Sequence, residues 1–144
     1  MTYDPSGDEP DVTLEFEHDS SAPGRARKAI SEMFPDAGPL ADDVSLAASE
    51  LTANVVRHTN DGGTMAAWNS DPFRLEVSDS DNRLPLSPLH ANEGGGYGLN
   101  IVDEVAEEWG VDPNVGRPGK TVWAKFRRPA ADPESGEGPI SADQ

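Results

Sequence analysis

Apolar and polar residues alternate at both ends of the chain's central part and recur at helical spacing between. In "VTLEFEH", Val12, Leu14 and Phe16 alternate with Thr13, Glu15 and Glu17, the period of a half-buried strand. In "SSAPGRARKAISEMF", Ala26, Ala29, Ile30, Met33 and Phe34 share one helical face, with Ser20 or Ser21 placed as the cap. "PDAGP" breaks that helix. From about Leu40 to His58 a second helix is predicted, its apolar face made by Val44, Ala47, Ala48, Leu51 and Val55. "TNDGG" ends it. "TMAAWNS" and "FRLEVSD" flank the turn signal "DP" and read as a strand hairpin. Residues 80–98 form a long irregular loop, a length that usually carries function in a small domain. "LNIVDEVAEEWG" predicts a third helix, with Leu99, Val102, Val105, Ala106 and Trp109 on one face and Gly110 as its stop. "VDPNVGRPG" reads as loop. "KTVWAKFR" reads as the last strand, with Val122, Ala124 and Phe126 on one face and Thr121, Trp123 and Lys125 on the other.

The element order is therefore β–α–α–β–β–α–β. Strands that come in hairpins favour a mixed, largely antiparallel sheet with helices on one face, an α/β two-layer sandwich whose other sheet face is partly wet.

Composition trims this picture at the ends. Residues 1–11 and 129–144 each carry four acids and no Lys or Arg, and are rich in Pro, Gly and Ser. They are expected to be disordered acidic tails on a domain spanning residues 12–128. The net charge is −16, which argues against a nucleic-acid partner, since phosphate backbones are held by Lys and Arg. The chain has no Cys, so thiolate chemistry and disulfides are out. No apolar run approaches a membrane span and no secretory signal opens the chain, so a cytoplasmic protein is expected.

Three stretches carry candidate chemistry. On the second helix Glu50, Asn54, Arg57 and His58 lie at spacings that stack them beside the apolar face. An Asn oxygen suits Mg²⁺, and a carboxylate one turn away suits a general base; a solvated polar edge would look the same. In "FRLEVSD" the period of two puts Asp79 on the side of Phe73, Leu75 and Val77. A carboxylate there needs donors, such as the exocyclic amine of a flat heterocycle, or it caps a turn. In "EGGGYGLNIV", Gly94, Gly95, Gly96 and Gly98 precede a helix, where backbone N–H groups can approach an anion. That run is neither a P-loop nor a dinucleotide fingerprint. His18, His58 and His90 lack metal-ligand spacing, and no Ser sits in a nucleophile elbow.

Taken in order, these motifs resemble the GHKL ATPase superfamily, which includes gyrase, histidine kinases and MutL, and within it the small anti-sigma factor serine kinases. "LAASELTANVVRHT" resembles the N box, "LEVSDSDNRLP" the Asp box, "GGGYGLNIVDEVAEEWGV" the glycine box with its helix, and "GKTVWAKF" the last strand. The resemblance covers roughly residues 12–127 and implies a Bergerat ATP-binding fold. It implies that Asn54 coordinates Mg²⁺ bridging the ATP phosphates and that Glu50 is the general base. By the same resemblance Asp79 takes the adenine amine, directly and through water. Gly94, Gly95, Gly96, Gly98 and Leu99 form the phosphate lid and helix start, and Thr121 supports the adenine–water network. The implied reaction is transfer of the γ-phosphoryl group to a serine of a STAS-type anti-anti-sigma partner, with a sigma factor as the regulated protein. A homodimer is also implied. The Asp box departs from the superfamily's Asp-x-Gly-x-Gly: it reads "DSDNR", with Asp81 in place of the first glycine. A regulatory module that sequesters a partner without phosphorylating it therefore stays open beside the kinase.

Overall fold

Strand-forming and helix-forming stretches sort into two layers in the computed structural model, which describes residues 9–81 and 99–128. The order is β1 (Val12–Phe16), α1 (Ala22–Ser31), α2 (Pro39–His58), β2 (Gly63–Trp68), β3 (Phe73–Asp79), α3 (Leu99–Val105), β4 (Glu108–Pro113) and β5 (Lys120–Phe126). Five strands form one sheet in the order β1-β2-β3-β5-β4. All four pairings are antiparallel, so the sheet has no parallel pair among the described residues and is not mixed.

The register explains the core. Leu75 lies opposite Ala67 on one side and Ala124 on the other, and Val77 opposite Met65 and Val122. Opposed residues share a face, and this face meets Ala26 and Ile30 of α1, Val44, Ala48 and Leu51 of α2, and Leu99 and Val102 of α3 in one buried cluster. The face choice expected for β3 and β5 is the one observed. Phe73 is wholly buried and its ring stacks on Phe34 at 5.4 Å between centroids. Emptying such a site costs ~3–5 kcal/mol, so Phe73→Ala is the sort of single change this sheet–helix packing does not tolerate.

Four local expectations change. Ser21 stands at the N-cap of α1 but makes no side-chain cap bond. Asp19 does that work instead, its Oδ1 accepting from the Ser21 N–H at 2.7 Å and its carbonyl from the Ala22 N–H at 3.0 Å. The hydrogen bonds from Ser21, its backbone N–H first, hold the exposed Asp19 carboxyl below the usual carboxylate range.

The third helix ends at Val105, well short of Trp109, and "EWGVDP" is strand β4. Gly110 is mid-strand, and a Cβ there would lie 2.6 Å from the Trp123 indole; the glycine makes room for a ring rather than stopping a helix.

The sheet face away from the helices is dry at its centre. Glu76 is wholly buried, Arg74 nearly so, and the two pair at 2.8 Å. The Arg74 guanidinium lies 5.2 Å from the Trp123 ring centroid and the Lys125 ammonium 5.5 Å from it. Cation–ring contacts of this kind hold ~0.5–2 kcal/mol.

Asp11, grouped by sequence with the N-terminal tail, donates its N–H to the Ala67 carbonyl and accepts from the Asn69 N–H, extending the β1–β2 pairing by one residue. Residues 1–8 and 129–144 lie outside the described residues, as does most of the 80–98 loop. Among the described residues no helix is long and apolar enough to cross a membrane.

Candidate functional site

The C-terminal half of α2 crosses the end of the sheet where β3 finishes and β5 begins. A recess opens between them. Leu51, Val55, Val77 and Val122 make its apolar walls, and Asn54, His58, Thr59, Asp79, Asp81 and Lys120 its polar rim. The helix supplies Asn54 because residues four apart stack: Leu51 and Val55 seat the helix on the sheet, and Asn54 and His58 come round beside them. The sheet supplies Asp79 and Lys120 because both continue the core-facing side of their strands and stand opposite one another in register.

The polar groups are tied together. Asn54 is 9% exposed, and its Oδ1 accepts from Arg57 Nη2 at 2.9 Å. Lys120 Nζ donates to Asp79 Oδ1 at 3.1 Å and Oδ2 at 3.0 Å, and to the Asp81 carbonyl at 3.0 Å. The Asp81 N–H donates to Asp79 Oδ1 at 2.8 Å, so the turn cap and the buried acceptor read from the sequence are both present. The space left open to the centre of a water molecule is about 30 Å³, room for about two waters.

A hairpin loop braces the site from behind. Asn114 Nδ2 donates to the Asp79 carbonyl at 3.0 Å and the Pro118 carbonyl at 3.1 Å, and its Oδ1 accepts from Thr121 Oγ1 at 2.6 Å. Gly119 takes φ +103°, and a Cβ there would strike the Asp79 carbonyl oxygen at 1.8 Å. Only glycine lets β5 start this close to the end of β3.

The expected residues divide accordingly. Asn54 and Asp79 meet in the recess. Glu50 is half-buried one turn before Asn54 and does not line the recess. Thr121 stands on the opposite sheet face, bonded to Ser78 Oγ at 2.8 Å and to Asn114, so its hydroxyl does not reach the recess side. Leu99 is the first residue of α3 and is wholly buried in the core. Gly94, Gly95, Gly96 and Gly98 lie outside the described residues.

Lys120 is the polar group that the sequence reading passed over. The signal was present: Val122, Ala124 and Phe126 face the core, so the period of two places Lys120 with them and Thr121 against them.

Among the described residues no group of three or more His, Asp or Glu is arranged to hold a metal. A Mg²⁺ ion would have to rely on Asn54 and on oxygens brought by a phosphate ligand, an arrangement that Mg²⁺ accepts readily. No protein-family model matches the chain, and no curated protein matches it.

Proposed function

We propose that the chain binds Mg·ATP in the recess between α2 and the ends of β3 and β5, and acts as a cytoplasmic protein serine kinase of the anti-sigma type. The observation that carries this reading is the meeting of Asn54 and Asp79 across an apolar-walled recess, from positions 25 residues apart on a helix and a strand. A hard amide oxygen suits a phosphate-bound Mg²⁺. A buried carboxylate between valines suits the amine of a flat base. A five-stranded antiparallel sheet with its helices on one face agrees with the Bergerat ATP-binding fold implied by the motif order.

In this reading Mg²⁺, when bound, neutralises phosphate charge as the γ-phosphoryl group leaves ADP and joins the serine oxygen of a STAS-type anti-anti-sigma partner. Asn54 offers its oxygen to the metal. Glu50, one turn away, takes the serine proton. Asp79 fixes the base, and the walls exclude water around it. Positioning and charge neutralisation do most of the work in such transfers. Phosphorylating that partner would in turn free or restrain a sigma factor.

A second reading is a module that sequesters its partner without phosphorylating it. One observation favours it: the Asp79 carboxylate is already satisfied by Lys120 and the Asp81 N–H.

Radiolabelled ATP, incubated with the purified protein and candidate anti-anti-sigma partners, separates the two. Wild type is expected to label a partner serine. Glu50→Gln is expected to slow that transfer by ~10²–10⁴ while still retaining a sigma factor in a pull-down. Retention of a sigma factor by wild type with no labelled partner would leave the sequestering module standing and end the kinase reading.

A further inference from the structure

We propose that Lys120 is the resident occupant of the base-recognition carboxylate, a tethered cation that competes with an incoming nucleoside for Asp79 and thereby lowers the affinity of the site. This rests on the nucleotide reading above.

The geometry is one of self-satisfaction. An ammonium has three N–H donors, and Lys120 spends all three inside the recess, on Asp79 Oδ1, Asp79 Oδ2 and the Asp81 carbonyl. Its side chain is 10% exposed and that of Asp79 6%. A carboxylate offers about four lone-pair positions. Lys120 takes one on each oxygen and the Asp81 N–H takes a second on Oδ1, which leaves a single position on Oδ2.

A base amine is neutral, and a charge-assisted bond is roughly twice as strong as a neutral one. The amine therefore cannot replace the ammonium bond for bond. Position gives the same answer, because Lys120 and Asp79 line the same recess and a base seated against the carboxylate meets the lysine head. The lysine stem gives the way out: four flexible carbons let the ammonium swing to water while the stem stays on the apolar wall.

Adenosine is the probe, since without phosphates it gains nothing from a nearby cation. Calorimetry of wild type, Lys120→Met and Lys120→Gln compares occupied and vacated carboxylates. Lys120→Met keeps the length of the stem, and Lys120→Gln keeps an N–H donor for Asp79 should the bare carboxylate compromise folding. Melting curves report whether each variant is folded. The expected result is adenosine binding at least about tenfold tighter in Lys120→Met, the weight of one charge-assisted hydrogen bond, with Lys120→Gln between it and wild type.

A second measurement uses wild type alone. The chain has three lysines, Lys28, Lys120 and Lys125, so acetylation followed by mass spectrometry reads each one. Lys120 is expected to react slowest in the free protein and to accelerate when adenosine saturates the site. Affinity that is unchanged or weaker in the folded variants, or Lys120 labelling that stays flat or falls on binding, overturns the proposal. If neither variant folds, the labelling decides. Binding of Mg·ATP by wild type without a gain in the variants removes only the role of Lys120. Failure of wild type and folded variants alike to bind adenosine or Mg·ATP removes the nucleotide reading with it.

Discussion

Thr52 is wholly buried on α2, and its hydroxyl oxygen has no hydrogen-bond partner. A buried hydroxyl without a partner costs ~1–3 kcal/mol relative to a satisfied one. Thr52→Val keeps the shape and removes the cost, so the variant is expected to be more stable by about 1 kcal/mol, read as a higher urea midpoint at an unchanged slope. A lower midpoint would mean that the hydroxyl is bonded in solution. At the same scale, Asp79 and Lys120 show what a single residue's context discloses. The period of two along "FRLEVSD" reveals that Asp79 faces the core, because the strand pattern before it is unbroken. The identical pattern runs backwards from Phe126 through Val122 to Lys120, yet a lysine at a strand start reads as solvent-exposed by composition. What is invisible in sequence is the partner: a lysine is buried where register sets a carboxylate opposite it, as Asp79 is.

Elements with one clear period were legible, β1, β2, β3 and β5 among them, whereas β4 was not. The pattern on α2 runs for 20 residues, longer than a usual strand, and its buried Val44, Ala48, Leu51 and Val55 recur at three and four. The stretch from Val105 to Val111 satisfies both periods: Val105 and Trp109 are four apart, while Trp109 and Val111 alternate with Glu108, Gly110 and Asp112. Pairing with β5 decides in favour of the strand, a tertiary choice that local spacing cannot weigh. Gly110 carries the mark of that choice. Gly110→Ala would set a methyl carbon 2.6 Å from the Trp123 ring, and overpacking of this kind costs ~1–3 kcal/mol. Displacing the indole also disturbs the Arg74 contact on its face. The variant is expected to melt several degrees lower. An unchanged melting temperature would show that β4 is free to shift away from Trp123. Were Gly110 a helix stop, alanine there would cost little and lengthen the helix.

On the scale of the whole molecule, the proposed function asks a strongly acidic chain to bind an acidic ligand. The net charge of −16 repels a nucleotide's phosphates at long range, an effect that salt screens and a divalent cation offsets. In that proposal the recess supplies what the overall field withholds: the Asn54 amide for a metal, apolar walls, and the Asp79 carboxylate that Lys120 now holds for a base. The fold brings these together by laying one helix across the end of an antiparallel sheet. The central claim of the proposed function is that Mg·ATP binds in that recess, and titration calorimetry with folded wild-type protein at millimolar Mg·ATP measures it most directly. A saturable binding heat that is lost when Mg²⁺ is chelated is the predicted result. No binding heat at those concentrations would contradict the account.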